Sequence, residues 1–261
     1  MMSDWTLEQL KPFGLIVTSE HPQGDLQSIP TLTLKKWVDD HRVIILRRFG
    51  SLPGEQLPEF CRRLGEILEW DFGAVNDLRV KPDARNYLYT NGEVPFHWDG
   101  AFAGRIPHYI FFSCDLAPAP GSGGETLFCD TSLVLAHAPL EQRERWEHTR
   151  VTYTTEKIVH YGGTFSSPMI CRHPLTREEV LRFAEPVFDL NPVMLEIDGI
   201  PEPAQPAFLT DMHERLRGAD VCYWHQWQPG DVVIADNYVL LHGRTAFAPN
   251  AERKIRRVNI L

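Results

Sequence analysis

Two histidines and one aspartate stand out among the 261 residues, because their types and surroundings suit a metal ion. Phe96-His97-Trp98-Asp99-Gly100 carries an imidazole and a carboxylate two positions apart. In a strand, residues i and i+2 point to one face, with side-chain origins ~6–7 Å apart. His97 and Asp99 on such a strand can reach one cation, although the same pair serves equally well as a hydrogen-bonded surface pair. Far along the chain, His242 follows the apolar run Val239-Leu240-Leu241 and precedes Gly243 and Arg244. A histidine at the end of an apolar strand, with glycine behind it, can present its ring to a cavity with backbone close by. Two histidines and one carboxylate form the facial set that holds non-haem Fe(II) and leaves coordination positions open. Zinc favours a closed tetrahedral set, often with cysteine, so iron suits these residues better. Of the remaining histidines, His225 is the strongest rival ligand, since it too sits in an apolar run, Val221 to Trp227.

Two further segments could serve an anionic ligand. In Arg253-Lys254-Ile255-Arg256-Arg257-Val258, a strand would place Arg253, Ile255 and Arg257 on one face and Lys254, Arg256 and Val258 on the other. Neither face is cleanly apolar, so alternation alone does not say which points inward. The run reads either as a charged edge strand kept soluble by Lys and Arg, or as a fixed bidentate guanidinium for a carboxylate. Gly121-Ser122-Gly123-Gly124-Glu125-Thr126 lacks the third glycine of a dinucleotide loop and the Gly-Lys-Ser/Thr of a P-loop. It is a plain loop before a strand, or a turn that delivers the Thr126 hydroxyl to a pocket.

The elements that must position these residues are mostly short strands. From about Arg85 onward, Tyr/Phe/Val/Ile-rich runs alternate with Pro- and Gly-rich breaks: Tyr87–Tyr89, Tyr109–Ser113, Thr126–Cys129, Val151–Thr155, Val180–Phe183, Val221–Trp227, Val232–Ala235 and Ile255–Leu261. That texture predicts a mainly β sandwich or barrel with peripheral helices. Helical insertions are expected at Ser132–His148 and Ala207–Arg217. The first third mixes classes, with a strand at Phe13–Val17 and a helix capped by Thr33 and running to His41. A buried strand is expected at Val43–Leu46. A second helix is expected to begin at Ser51-Leu52-Pro53, with Leu57, Phe60, Leu64, Ile67 and Leu68 as its apolar stripe. No repeat or linker divides the chain, so residues 1–261 read as one domain.

Composition narrows the partners. Hydrophobic residues make up 43% and charged residues 23%, which argues against disorder. The longest aliphatic run, Val43–Leu46, is far short of the ~20 residues a membrane span needs. Lys+Arg number 26 against 35 Asp+Glu, and the resulting net charge of −9 disfavours nucleic acid or an anionic membrane as partner. Five widely spaced cysteines with no Cys-x-x-Cys suggest neither a zinc clip nor a disulfide framework. Met1-Met2-Ser3-Asp4-Trp5 shows no basic region ahead of an apolar stretch, so no secretory signal is expected. The expectation is a cytoplasmic protein acting on a small molecule, with a homo-oligomer left open.

Taken together, the ordered motifs resemble the taurine-dioxygenase-like (TauD/TfdA) family of Fe(II)/2-oxoglutarate-dependent oxygenases. The matching elements are His97-x-Asp99, Gly123-Gly124-Glu125-Thr126, Gly230-Asp231, Asp236-Asn237, His242, and Arg253 eleven residues beyond that histidine. Within the family, Trp70-Asp71-Phe72-Gly73-Ala74-Val75, Leu181-Arg182-Phe183-Ala184-Glu185-Pro186, Leu240-Leu241-His242-Gly243-Arg244 and Arg256-Arg257-Val258 look closest to the PvcB-like branch. That branch acts on amino-acid-derived isonitriles. The resemblance implies a distorted double-stranded β-helix (jelly roll) with Fe(II) on His97, Asp99 and His242, and with 2-oxoglutarate and O2 as co-substrates. It further implies that Arg253 and Thr126 hold the distal carboxylate of 2-oxoglutarate. Arg257 would meet the other carboxylate or an anionic group of the substrate, and Phe102 and Asn91 would line the substrate pocket. Desaturation of an isonitrile, with or without loss of its carboxylate, is the activity implied. Hydroxylation of a small amino, sulfonic or carboxylic acid is the alternative, and a ligand-binding jelly roll without turnover is the non-enzymatic one.

Overall fold

Among the described residues the short β-branched and aromatic runs pair into four sheets. Two are small: a three-stranded one of Met194–Asp198, Arg150–Thr155 and Gly163–Pro168, and the pair Ile170–Arg172 and Glu179–Leu181. The other two are large and stack face to face. In the computed structural model, which describes residues 4–158 and 160–261, the larger sheet has seven strands. Their order is Trp5–Gln9, Leu15–Ser19, Val43–Arg47, Val232–Asp236, Tyr109–Leu116, Lys254–Ile260, Asn76–Leu78. The smaller sheet has four, ordered Cys222–His225, Thr126–Asp130, Leu240–Arg244, Val94–His97, all antiparallel. This is the expected jelly roll. Residues 1–3, which carry most of the expectation about a leader, lie outside the described residues.

Apolar side chains leave these sheets in three layers. Ile45, Ile110, Phe112, Phe128, Leu240 and Ile255 meet between the sheets. On the outer face of the large sheet, Ile44, Leu46, Phe111, Ile234 and Val258 pack with Leu34 and Val38 of helix Thr31–His41 and Leu57 and Phe60 of helix Gln56–Leu64. On the outer face of the small sheet, Phe96, Leu127, Cys129 and Leu241 meet Val134, Trp146, Phe208 and Met212 from the helices Thr131–His137, Leu140–Glu147 and Gln205–Leu216. Strands covered on both faces read as continuous apolar runs, which is why Val43–Leu46 shows no alternation. The arginine-rich run shows the same double burial: Ile255 enters the space between the sheets, while Val258 and Ile260 turn to the helices.

Several boundaries differ from expectation for local reasons. The first helix begins at Thr31, with Pro30 ahead of it and no side-chain cap, so Thr33 lies inside it. The second runs Gln56–Leu64 and stops at Gly65, leaving Ile67 to bridge Ile260 and Leu68 beyond the helix. Tyr87–Tyr89 is a 3-10 turn, not a strand, because the Asn86 side chain accepts the Leu88 N–H at 2.9 Å. Ser132–His148 divides into two helices at Ala138-Pro139, where proline lacks an N–H and pushes the preceding residue out of the α region. Among the described residues, no helix is long and apolar enough to cross a membrane.

Gly243 is the close-approach point of the small sheet. A Cβ there would sit 2.8 Å from the Val94 carbonyl oxygen, on the neighbouring strand. Gly243→Ala is therefore expected to push Val94–His97 outward and cost about 1–3 kcal/mol, as overpacking does. Urea denaturation checks this, and a variant with the parent's midpoint would contradict the tight approach.

Candidate metal centre and its two pockets

His97 ends the strand Val94–His97, and His242 lies in the middle of Leu240–Arg244. Antiparallel register sets the two directly opposite each other, with ring centroids 4.2 Å apart. Asp99 is not in the strand. It lies in the turn that follows, where Gly100 adopts φ +95° and a Cβ would meet Pro107 and the Arg105 carbonyl. The turn, rather than strand alternation, brings the carboxylate beside the imidazoles. Asp99 Oδ1 lies 3.7 Å from His97 Nε2 and 3.9 Å from His242 Nε2. One ligand atom from each residue lies within 4.8 Å of the others.

Hydrogen bonding leaves these atoms free to bind a cation. His97 Nδ1 sits 2.9 Å from the Pro95 carbonyl, which can only accept, so the proton is on Nδ1 and the lone pair on Nε2. Both ring nitrogens of His242 are buried with no hydrogen-bond partner. Asp99 accepts from Arg257 Nη1 at 2.9 Å and from Asn259 Nδ2 at 2.8 Å. Burial alone would raise its pKa, but Arg257, the two imidazoles and Asn259 outweigh that and hold the carboxyl at about 2. Burial lowers both histidines, keeping them neutral as metal ligands must be. An unpartnered buried imidazole costs roughly 1–3 kcal/mol, and a cation seated between the three groups removes that cost. The residues fit a metal.

A second buried cluster, His108, His173 and Asp236, has the same composition but different chemistry. His173 Nδ1 accepts the Leu175 and Thr176 N–H groups, both at 3.1 Å, so its proton is on Nε2, 3.0 Å from Asp236. That nitrogen has no lone pair to offer. The cluster ties the loop after Ile170–Arg172 to the end of Val232–Asp236 instead.

Two cavities meet at the triad. The inner one is lined by Phe112, Thr126, His242, Arg244 and Arg253. Arg253 donates through Nε to the Gly124 carbonyl at 3.1 Å and through Nη2 to Thr126 Oγ1 at 3.4 Å. Among the described residues no carboxylate pairs with it, and burial lowers its pKa to about 9. A carboxylate entering this pocket would restore the charge balance. The outer cavity holds about 690 Å3 of empty space, mouth included, and its walls include Trp70, Tyr87, Trp98, Phe102, His160 and Tyr161. Leu88, His97 and Arg257 line both.

The remaining expected residues divide. Phe102 reaches the outer cavity and stacks on Tyr161 with centroids 5.9 Å apart. Asn91 does not: its Nδ2 donates to the Phe247 carbonyl at 3.1 Å, away from either cavity's lining. Arg257 faces the centre, but its Nη1 grips Asp99 rather than an open subsite. The rival His225 lies 3.4 Å from Asp231 and outside the cluster. Asn237, which the sequence offers only as part of the Asp236-Asn237 motif, accepts the Asp99 N–H at 2.9 Å and donates to the Asp99 and Pro107 carbonyls, fixing the turn. Asn259 was findable, since alternation puts it on the face of Arg253 and Arg257. His160 and Tyr161 carried no spacing signal.

A jelly roll with two histidines and a carboxylate beside a buried, unpaired arginine defines a non-haem iron oxygenase that uses a 2-oxo acid. Residues 7–259 match the model of the taurine catabolism dioxygenase TauD, TfdA family, and the chain belongs to that family. It is an enzyme using Fe(II), 2-oxoglutarate and O2. The chain is 43% identical, over 99% of its length and 96% of the relative's, to 3-((Z)-2-isocyanoethenyl)-1H-indole synthase of Fischerella ambigua. It is 34% identical, over 95% of its length and 87% of the relative's, to tyrosine isonitrile desaturase of Pseudomonas aeruginosa. Among solved structures, PvcB of Pseudomonas aeruginosa superposes with a TM-score of 0.84 at 32% identity, covering 100% of this chain and 93% of that one.

The neutral imidazoles give a pH dependence. The ordinary histidine value is 6.5, whereas His97 and His242 are lowered by burial, and His160 is lowered to about 4 by burial and Arg257. Below pH 6.5 the unfolded chain therefore binds protons that the metal-free fold refuses, so stability rises with pH across the window up to 6.5. Urea midpoints of metal-free protein are expected to fall between pH 7 and pH 5. A flat profile there would contradict the buried neutral histidines.

Proposed function

We propose that this chain desaturates an amino-acid-derived isonitrile, with or without loss of the substrate carboxylate. The observation that carries the reading is the junction at His97, Leu88 and Arg257, where an aromatic cavity reaching His97 and Asp99 meets an arginine pocket reaching His97 and His242. The outer cavity is walled mainly by aromatic and apolar side chains with a few polar groups, as small-molecule sites are. Its Trp, Tyr and Phe walls suit an aryl side chain. The Fischerella ambigua relative is named for an isocyanoethenyl indole and the Pseudomonas aeruginosa relative for a tyrosine isonitrile. A solved PvcB structure is described as an Fe, alpha-ketoglutarate dependent oxygenase from an isonitrile synthetic pathway.

In this reading His97, Asp99 and His242 hold Fe(II). Arg253 and Thr126 clasp the distal carboxylate of 2-oxoglutarate, and Arg257 keeps Asp99 ionised and aimed. Iron, 2-oxoglutarate and O2 together supply an oxidant strong enough to remove hydrogen from an unactivated C–H bond, with succinate and CO2 as co-products. Selectivity then belongs to the protein, because geometry decides which C–H lies nearest the metal. Phe102, stacked on Tyr161, and Trp98, packed edge-on to Tyr153 at 5.4 Å, form walls that orient an aromatic ring. The same walls exclude water and so suppress side reactions. Removal of two hydrogens gives the unsaturated acid. If instead the carboxylate leaves as CO2, the electron pair of its C–C bond stays behind and forms the double bond as the β-carbon gives up a hydrogen atom and an electron to the oxidant, and the product is a vinyl isonitrile.

Incubation with tyrosine- and tryptophan-derived isonitriles, followed by mass spectrometry, tests this. The expected product is lighter by two hydrogens, or by two hydrogens and CO2. A product carrying one added oxygen as the sole outcome would instead indicate a hydroxylase, and absence of succinate with every substrate would indicate a binding module. Arg253→Ala is expected to weaken 2-oxoglutarate by about 2–5 kcal/mol, the cost of stranding a charge in a buried site, while leaving Fe(II) nearly unchanged. Anaerobic titration of the visible iron–2-oxoglutarate band measures both. Equal loss of the two ligands would assign Arg253 a structural role.

A further inference from the structure

Val94–His97 is the outermost strand of the four-stranded sheet, and among the described residues no strand pairs with its outer edge. Exposed edges of this kind need some other partner. Glu185 supplies it. Its backbone N–H donates to the Phe96 carbonyl at 2.9 Å, and its carboxylate Oε2 accepts the Phe96 N–H at 2.8 Å. One residue thus closes both halves of the edge, as a neighbouring strand would.

The Glu185 carboxylate is itself tightly held. Oε1 accepts from Arg217 Nη1 at 2.7 Å and lies 2.8 Å from His213 Nδ1, while Oε2 accepts from Arg217 Nη2 at 2.9 Å. The Arg217 guanidinium also bonds Glu93 at 2.9 Å and lies over the Phe96 ring, 5.0 Å from its centroid. Glu185 is 8% exposed and lines the outer cavity beside Ala184. This is a built arrangement, with more donors than the edge of a sheet requires.

Its target is specific. The Phe96 N–H and the Pro95 carbonyl belong to the same planar peptide, so fixing one fixes the other. That carbonyl accepts the Nδ1–H of His97 at 2.9 Å. We propose that Glu185 is a positioning residue for His97, acting through the Pro95–Phe96 peptide to aim the Nε2 lone pair at the metal. The proposal rests on His97 being an iron ligand, as argued above. A carboxylate on the N–H side polarises the peptide and places more negative charge on its oxygen, strengthening the bond to His97. Groups behind metal-bound histidines set ring orientation and basicity, and losing one typically costs ~10–100-fold in metal affinity. With a peptide interposed, the low end of that range, about 10-fold, is expected here.

Cobalt(II) is the probe, since its visible ligand-field band reports coordination without turnover. Glu185→Ala is expected to bind cobalt about 10-fold more weakly than the parent, with an altered band. Glu185→Gln keeps an oxygen for the Phe96 N–H and is expected to stay within about two-fold. Glu185→Asp keeps the charge beside Arg217 but draws the carboxylate back from Phe96, and it covers the case in which the alanine variant does not fold. Positioning ranks Gln above Asp in cobalt affinity. A merely structural ion pair with Arg217 ranks Asp above Gln, in affinity and in thermal melts alike, and that order would overturn the proposal. So would a folded alanine variant with the parent's affinity and spectrum. Failure of the parent itself to bind cobalt would instead remove the metal-site reading on which the proposal stands.

Discussion

The face-to-face pairing of His97 and His242 is the constraint around which the rest of this molecule is arranged. Two imidazoles 4.2 Å apart in a largely buried site oppose each other's protonation, and the backbone of the two paired strands holds them there. The antiparallel register sets them opposite, and Gly243 lets the strands approach. The Asp99 turn then delivers the compensating charge, held by Asn237 from its backbone side and by Arg257 and Asn259 from its carboxylate side. Each support comes from a different stretch of chain, so the centre forms only when both sheets are assembled.

Buried arginines are the second theme. Arg182, Arg244, Arg253 and Arg257 are all nearly inaccessible, and Asp99 is the sole carboxylate with which the described residues pair any of them. Arg244 spreads its donors over the Leu88, Thr90 and Gly92 carbonyls, and Arg182 lies 5.1 Å over the Trp98 ring. Carbonyl oxygens and ring faces satisfy geometry without cancelling charge, so the inner pocket, lined by Arg244, Arg253 and Arg257 and, among the described residues, by no acid, keeps a net positive field. Burial lowers Arg244 to about 10 and Arg253 to about 9. Such a field costs stability in the empty protein and favours a doubly anionic co-substrate, a trade of stability for binding that functional sites commonly show.

Much of this was legible in the residues. His97, Asp99 and His242 could be picked by type, and the short apolar runs indicated stacked sheets. What misled was the assumption of continuous strands. Asp99 reaches the centre from a turn, Tyr87–Tyr89 coils because Asn86 competes for a backbone N–H, and Asn91 bonds the Phe247 backbone instead of a ligand. Period-two reasoning has no access to such local competition. Glu185 and Asn237 were quoted only as parts of motifs, because their importance lies in pairings 89 and 138 residues away. Long-range hydrogen bonds leave no periodic trace.

The central claim is that one iron ion sits among His97, Asp99 and His242. Anomalous diffraction at the iron edge, on crystals grown anaerobically with Fe(II) and 2-oxoglutarate, measures this most directly. The account predicts one strong peak bonded to those three side chains, with the co-substrate's far carboxylate against Arg253. A peak at His108, His173 and Asp236 instead, or none at the triad, would contradict it.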